Sequence, residues 1–211
     1  MLTLETARQW YSESDFVHGY DHIVRVYHLA ERLALLEGAD IEIVRAAALL
    51  HDAQPPSLGQ TPRLNHQIVA ADFAWQVLRA EGWDNRTIEA VQHCIRAHRF
   101  RDDTDKPSTL EAKILFDADK LDAIGAIGVA RAIGYSIQAG QPIYSPPSAL
   151  FIETGQLEKY EKYSAYHEFL FKLQKLKDCL YTPSARRFAA ERQRAMVDFF
   201  ERLAHEWTGE V

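Results

Sequence analysis

The chain is poor in cysteine, with two in 211 residues. Cys94 and Cys179 stand far apart and form neither a disulfide framework nor a cysteine-based metal motif. Composition therefore excludes disulfide-rich secreted scaffolds and cysteine zinc modules. The scarcity of cysteine favours a reducing compartment, and we expect a cytoplasmic protein.

Long hydrophobic runs are also missing. No stretch approaches the ~18 uninterrupted apolar residues of a membrane-spanning helix, so no membrane association is expected. Residues 1–20 include Glu5, Arg8, Glu13 and Asp15 and contain no apolar segment of the kind found in secretory signals. The sequence therefore predicts neither a membrane span nor a signal peptide.

An excess of positive charge is absent. The chain carries 24 Lys and Arg against 30 Asp and Glu, which gives a net charge of −6. Broad binding to a nucleic acid backbone needs many basic contacts, so we expect no long nucleic acid as a partner. A local basic pocket for a small phosphorylated molecule is compatible with this balance.

The alternation of apolar and polar residues that marks a β-strand is lacking, whereas apolar residues at helical spacing recur. In residues 20–37, Val26, Leu29, Leu33 and Leu36 lie on one face, and Gly38 is a natural end. We predict an all-α protein with helices at residues 20–37, 41–53, 66–81, 85–98, 109–139, 158–179 and 183–207. Loops are predicted at residues 54–64, 101–108 and 140–157.

The dipeptide His51-Asp52 ends an apolar run over residues 41–50 and is followed by Pro55-Pro56. Two polar side chains beside a hydrophobic interior are costly to bury without partners. Either they bond each other and the backbone at a capped helix end, or they bind a metal ion. A histidine and a carboxylate together suit a divalent ion that accepts nitrogen and oxygen ligands.

His22 lies in register with the apolar stripe of helix 20–37, whereas His28 falls off the stripe and is expected in solvent. A lone histidine on an apolar face is either a core residue with satisfied hydrogen bonds or a ligand. His66 begins a predicted helix and is either a solvated residue there or a ligand. His98 stands near the end of another helix.

The predicted helix 109–139 is apolar almost all round, which indicates burial, yet it contains Asp117, Asp119, Lys120 and Asp122. Asp119 and Asp122 are three residues apart and share a face. A salt bridge to Lys120 or Arg131 accounts for one buried aspartate but poorly for three, because buried carboxylates need a partner or a metal ion.

Four of these groups lie on core faces of separate helices: His22, His51, Asp52 and Asp119. Packing of the helices can bring two imidazoles and two carboxylates to one point. That arrangement would be a metal site with positions open for water and substrate. A second ion could use His66 and His98.

The order of these residues resembles the HD-domain metal-dependent phosphohydrolase superfamily. Residues 20–26 (YDHIVRV) resemble its opening DHxxRV helix, residues 46–52 (AAALLHD) its AALLHD motif, and residues 117–128 (DADKLDAIGAIG) its DADRLDAIGAIG segment. Residues 175–178, 182–187 and 196–207 are similar to a subgroup of small bacterial HD hydrolases. The resemblance spans essentially the whole chain.

This resemblance implies a single HD-domain hydrolase over residues 1–211, with a helical core at about 18–135 and additional C-terminal helices at about 157–208. It implies that His22, His51, Asp52 and Asp119 bind a divalent ion. The superfamily's AD(R/K)L pattern places the closing ligand on Asp119 rather than Asp117. The ion could be Mn, Mg, Fe, Ni or Zn, because sites of histidine and aspartate accept several metals.

The resemblance also implies hydrolysis of a phosphoester or phosphoanhydride in a nucleotide or similar small metabolite, by a water whose pKa the ion lowers. His66 and His98 are candidates for a second metal site or for acid–base work, and Asp122 for orienting a ligand or Lys120. Candidates for binding the substrate phosphate are Arg25, Lys120 and Arg99.

Two departures from the family pattern concern the substrate. The subgroup usually has HSF where this chain has His98-Arg99-Phe100, so Arg99 adds a positive charge near the predicted site. After His51-Asp52 the chain continues with AQPP, unlike the HDIGK of the cyclic-dinucleotide phosphodiesterases, and their GYP signature is missing. The absence of both HDIGK and GYP argues against cyclic dinucleotide hydrolysis.

Three other functions stay open. A di-iron oxygenase on an HD scaffold would use His66 and His98, whereas a hydratase or lyase for small nitrile-like molecules would not need Arg25 and Lys120. A non-catalytic binding module is the third, although the intact ligand set argues against it. The aromatic residues of the C-terminal helices are compatible with a homodimer or with an intramolecular core.

Overall fold

The computed structural model describes residues 2–12, 17, 19–55, 66–99 and 105–211. Every regular element in these ranges is a helix, which confirms the all-α prediction. None of the helices in the described ranges combines the length and the apolar character needed to cross a bilayer. The α-helices are α1 (Leu4–Ala7), α2 (Tyr20–Glu37), α3 (Ile41–Leu50), α4 (His66–Ala80), α5 (Asn85–Ala97), α6 (Leu110–Asp122), α7 (Gly125–Gln138), α8 (Ala149–Thr154), α9 (Ala165–Phe171) and α10 (Pro183–Thr208), with 3-10 helices at Arg8–Trp10 and Leu173–Cys179.

The chain divides into two compact units. The first contains residues 1–119 and 180–185, and the second contains residues 120–179 and 186–211. The predicted organisation as one domain over residues 1–211 stays a prediction.

Helix α3 lies at the centre of the first unit and packs against α2, α4 and α5. Its N-terminus is capped by the carboxylate of Asp40, which accepts hydrogen bonds from the amides of Glu42 and Ile43. The stretch from Ala46 to Leu50 is buried throughout, and its small alanines let neighbouring helices approach closely. The helix ends at Leu50, three residues earlier than predicted, so that His51 and Asp52 form a turn at its end.

Helix α2 has the predicted bounds and ends at Gly38, whose φ of 75° is the left-handed conformation that glycine adopts readily. Val26 and Leu33 are buried as the apolar stripe predicts. Leu36 was placed on the same stripe, but its side chain is 52% exposed. The stripe therefore enters the core at the beginning of α2 and leaves it in the last turn.

Helices α4 and α5 begin where predicted and end one residue earlier. The carboxylate of Asp84 caps α5 by accepting the amide of Thr87. Residues 56–65, which include Pro56 and most of the predicted loop 54–64, lie outside the described residues, as do Phe100 and residues 101–104. Residues 105–108 have no regular structure, which agrees with the prediction for that part of the loop.

The prediction of one long helix over residues 109–139 is wrong, because the chain breaks between α6 and α7. Ile124 is extended, and Gly125 has a φ of 76°, which disfavours any residue with a side chain. A Cβ on Gly125 would also lie 2.9 Å from Cβ of Arg192. Apolar periodicity continues through such a break, so the pattern alone does not reveal it.

Two predictions in the second unit are also corrected. The predicted loop 140–157 contains helix α8, which Ser148 caps by accepting the amide of Phe151. The predicted helix 158–179 is instead a non-helical segment followed by α9 and a 3-10 helix. The reason is Glu161, whose carboxylate accepts the amides of Ser148 and Glu158 at 2.6 and 2.7 Å and the hydroxyl of Ser148 at 2.8 Å.

Glu161 gives the stability of the second unit a predictable pH dependence. Burial alone would raise the pKa of this carboxyl, but the hydrogen bonds from Ser148, Glu158 and His167 lower it to about 2. Because the folded-state pKa lies below the unfolded value, the stabilisation is present above pH ~4.5 and is lost as the pH falls towards 2. We expect Glu161→Gln to lower Tm at pH 7 and to flatten the decline of Tm between pH 5 and pH 2.

Thermal unfolding followed by circular dichroism at several pH values measures this effect. Glu158→Gln is the matched control, because the side chain of Glu158 is exposed in the same segment. An acid decline in the Glu161 variant as steep as that of the unmodified chain would rule out this carboxylate as its source.

Candidate functional site

Six histidine and aspartate side chains of the first unit form two groups of potential metal ligands. One consists of His22, His51 and Asp119, and the other of Asp52, His66 and His98. Within each group the ligand atoms lie within 4.8 Å of one another. The members come from five different parts of the chain: α2, the turn after α3, the start of α4, the end of α5, and α6.

In the first group, Nε2 of His22 lies 3.4 Å from Nε2 of His51 and 3.5 Å from Oδ1 of Asp119. Both imidazoles are almost fully buried, and the side chain of Asp119 is 17% exposed. The three atoms therefore face a common point, and Asp119 is the most exposed of the three side chains.

In the second group, Nε2 of His66 lies 3.4 Å from Nε2 of His98. Oδ1 of Asp52 lies 3.3 Å from His66 Nε2 and 3.7 Å from His98 Nε2. The rings of His51 and His98 are in edge contact, with centroids 5.1 Å apart, so the two groups are adjacent. The sequence hypothesis assigned Asp52 to the first group, whereas the structure places Oδ1 beside the second.

Backbone hydrogen bonds orient two of these rings. Nδ1 of His51 lies 2.9 Å from the carbonyl oxygen of Ala48, and Nδ1 of His98 lies 2.5 Å from that of Ile95. Because a carbonyl oxygen can only accept, Nδ1 of each ring donates its proton and Nε2 presents a lone pair. This is the tautomer that a metal-binding histidine needs when it binds through Nε2.

The arrangement fits a divalent cation. Oδ1 of Asp52 is buried beside the Nε2 atoms of His66 and His98, and a carboxylate is costly to bury unless it is paired or bound to a metal ion. In each group two Nε2 atoms also face each other at 3.4 Å, a distance suited to nitrogens that share a cation. Imidazole and carboxylate are the ligand types of ions such as Mn, Fe, Ni and Zn.

The ionisation states of His51 and Asp52 also suit the binding of a metal ion. Burial lowers the pKa of His51, with partial opposition from Asp52, and a neutral imidazole is the form that binds metal. Burial raises the pKa of Asp52, but His51, a hydrogen bond from His98 and the nearby His66 bring it well below its ordinary value. The site thus places an ionised carboxylate beside His51, whose neutral form burial favours.

The three aspartates of α6 have different partners. Asp117 accepts the amides of Tyr181 and Thr182 at 2.8 and 2.7 Å, and the hydroxyl of Thr182 at 2.7 Å. Asp122 forms an ion pair with Arg131 at 2.7 Å, one of the two structural partners considered from the sequence. Asp119 is the one that lies with the histidines. The role of Asp117 was missed, because its partners are more than sixty residues away in the sequence.

The basic residues assigned to phosphate binding have mixed surroundings. Arg99 is half-buried and donates to Oε1 of Gln67 at 3.2 Å. Arg25 is half-buried one helical turn after His22, and Lys120 is buried immediately after Asp119. Glu31, later in the same helix as Arg25, accepts from Nε of Arg45 at 2.8 Å. The roles assigned to these residues and to Asp122 stay predictions.

Four described histidines lie apart from the groups: His28, His93, His167 and His205. His28 is exposed, as predicted from its position off the stripe of α2. His93 accepts from the amide of Ser108 at 3.2 Å and lies 2.9 Å from its hydroxyl, next to the start of α6. Helical position alone separates His28 from His22, but it does not separate His93 from His98.

The chain is similar to known proteins in sequence and in fold. The HD domain family matches residues 19–124. The uncharacterized protein YpgQ of Bacillus subtilis is 34% identical over 195 residues, which cover 91% of this chain and 85% of YpgQ. The crystal structure of YpgQ in complex with ADP aligns with a TM-score of 0.73, 31% identity and 97% coverage of both chains.

Two further solved structures are similar to this chain. A Lactobacillus plantarum protein aligns with a TM-score of 0.77 and 31% identity over 99% of this chain and its own full length. An HD-superfamily hydrolase from Bacillus thuringiensis aligns with a TM-score of 0.71 and 27% identity, covering 97% of this chain and 94% of its own. The motif order, the clustered histidines and aspartates, and these matches agree. The chain therefore belongs to the HD-domain superfamily.

Proposed function

We propose that this protein is a metal-dependent phosphohydrolase that acts on a nucleotide or a similar small phosphorylated metabolite. The observation that carries the proposal is the pair of adjacent ligand groups, in which the buried Oδ1 of Asp52 lies 3.3 Å from Nε2 of His66 and 3.7 Å from Nε2 of His98. HD-superfamily proteins are generally metal-dependent hydrolases. The crystal structure of the relative YpgQ with ADP supports a nucleotide as the ligand class.

His22, His51 and Asp119 would hold one divalent ion. Asp52, which directly follows His51 in the chain, is the fourth ligand of the sequence hypothesis. An ion bound there neutralises charge on a phosphoryl oxygen and lowers the pKa of a bound water. The hydrogen bonds from Nδ1 of His51 and His98 keep the Nε2 atoms directed at the site. If His98 does not bind a second ion, it can exchange a proton at Nε2 only, because Nδ1 is held by the Ile95 carbonyl.

The basic residues would bind and orient the phosphate. Arg25 and Arg99 follow His22 and His98 by three residues and one residue, and Lys120 follows Asp119 directly. A guanidinium can donate two parallel hydrogen bonds to a phosphate, whereas an ammonium acts as a point charge. The two side chain types would therefore fix the orientation of the phosphate and add to its charge neutralisation.

Phosphate and pyrophosphate release from a panel of ribo- and deoxynucleotides tests the proposal, with added Mn and with chelator. We expect chelator-sensitive turnover that His22→Ala reduces at least about tenfold, since loss of a ligand costs at least as much as loss of its supporting contacts. His28→Ala is the matched control, because it removes an exposed histidine from the same helix. Chelator-resistant turnover, or equal activity in both variants, would contradict the proposal.

A second candidate is an oxygen-using di-iron enzyme, which the presence of two three-ligand groups favours. Two irons per chain with oxygen uptake, and no phosphate release from any nucleotide, would support it. Turnover of a nucleotide with Mn under anaerobic conditions would show that oxygen is not needed. That result would favour the phosphohydrolase over the oxygen-using enzyme.

A further inference from the structure

The second unit contains a cleft of about 620 Å³ whose lining includes none of the histidines and aspartates of the two ligand groups. This volume is within the range of small-molecule sites, roughly 300–1,000 Å³. The cleft lies between one face of α10 and the end of the 3-10 helix Leu173–Cys179. Its lining consists of Lys177, Asp178, Arg186, Ala190, Gln193, Arg194, Val197 and Asp198.

The lining follows from helical spacing. Positions 186, 190, 193 and 197 recur every three or four residues and thus form one stripe along α10. Ala190 and Val197 are the apolar members of this stripe, and their side chains leave room for a ligand. The charged side chains stand around them.

The lining of the cleft carries more positive than negative charge, although the chain as a whole is negatively charged. The net charge of the protein is −6, yet the cleft is lined by three cationic side chains and two carboxylates. The three cations are exposed and therefore able to contact a ligand. Arg186 and Arg194 can each form paired hydrogen bonds with a phosphate.

Gln193 is the buried polar member of the lining, with a side chain that is 6% exposed. Its Oε1 is buried and has no hydrogen-bond partner among the described residues. An amide oxygen in this state needs an O–H or N–H donor.

We propose that this cleft binds a small phosphorylated molecule that also carries a hydroxyl or amino donor. The phosphate lies against Lys177, Arg186 and Arg194. The donor reaches Oε1 of Gln193, and the carboxylates of Asp178 and Asp198 accept from further hydroxyl groups. The site is separate from the histidine and aspartate groups of the first unit and does not depend on the proposed hydrolysis.

Calorimetric titration of the full-length chain with ribose 5-phosphate tests the proposal. Excess chelator is present so that no divalent ion links the phosphate to the histidine groups. Inorganic phosphate and ribose are titrated separately, since the first has only the phosphate and the second only the hydroxyl groups. We expect one equivalent of ribose 5-phosphate to bind more tightly than inorganic phosphate or ribose.

Three variants locate the binding. Arg194→Gln is expected to weaken binding about tenfold, the effect of losing a charged hydrogen bond. Gln193→Leu is expected to bring ribose 5-phosphate down to the affinity of inorganic phosphate, with folding verified by circular dichroism. Arg202→Gln is the matched control, because Arg202 is an exposed arginine of α10 that pairs with Glu206 outside the cleft.

Three outcomes would overturn the proposal. One is no binding at millimolar ribose 5-phosphate, and another is an affinity that Arg194→Gln leaves unchanged. The third is a dimer in sedimentation experiments that Arg194→Gln dissociates, without any binding of the sugar phosphate. In that case the cleft is a contact between two copies of the chain.

Discussion

His51→Ala is expected to abolish binding of the divalent ion and to lower turnover at least about 100-fold, while the helical circular dichroism spectrum is retained. Loss of contacts that only support a metal ligand already costs 10–100-fold. His51 also connects the two groups, because its Nε2 lies 3.4 Å from that of His22 and its ring contacts that of His98 in the other group. Its removal therefore disturbs both.

The measurement combines metal analysis after dialysis with phosphate release from the best nucleotide of the panel. Because His51 is fully buried, its truncation leaves a cavity, and His51→Gln serves as a second variant that fills more of the volume. His205→Ala removes an exposed histidine of α10 and is the control for unspecific effects. Turnover retained in both His51 variants would remove this residue from the site.

The ion count per chain distinguishes two arrangements. Two ions in the unmodified chain, with none in the His51 variants, would mean that both groups bind metal and depend on His51. One ion would favour the four-ligand hypothesis of His22, His51, Asp52 and Asp119, with His98 left as an acid or base.

Helices whose ends carry local signals were predictable from the sequence. Helix α2 has the predicted bounds because Gly38 ends it, and α5 begins where Asp84 caps it. These signals act within a few residues and are visible in the sequence.

Elements set by distant contacts were not predictable. The break at Gly125 reflects a close approach to Arg192, and the unwound segment around Glu161 reflects hydrogen bonds from Ser148. In both cases the apolar period favoured a continuous helix, and tertiary contacts overrode it.

The candidate site was predictable in its composition but not in its grouping. Residue types on apolar helix faces pointed to His22, His51, Asp52 and Asp119, and the structure brings all four close to His66 and His98. The division into two groups depends on where Oδ1 of Asp52 points, which no spacing rule specifies. The choice of Asp119 over its neighbours came from the family resemblance, because helical spacing did not separate the three aspartates.

Two isosteric substitutions on α6 test the choice of Asp119 rather than Asp117 as the metal ligand. One is expected to lower stability and the other to remove stabilisation by Mn. Asp117→Asn turns one carboxylate oxygen into a donor that faces the donors of Tyr181 and Thr182. Leaving such buried donors unsatisfied is expected to lower the free energy of unfolding by about 2–3 kcal/mol. For a chain of this size, that corresponds to a Tm lower by about 5–10 °C.

Asp119→Asn is expected to change Tm little in chelator but to remove the increase in Tm that Mn produces in the unmodified chain. A ligand that binds only the folded state stabilises it in proportion to the logarithm of its concentration over Kd, so a weakened site loses this shift. Asp117→Asn should keep the Mn-dependent increase despite its lower starting Tm. Thermal unfolding of both variants with chelator and with Mn separates the two roles, and the reverse pattern would transfer the ligand from Asp119 to Asp117.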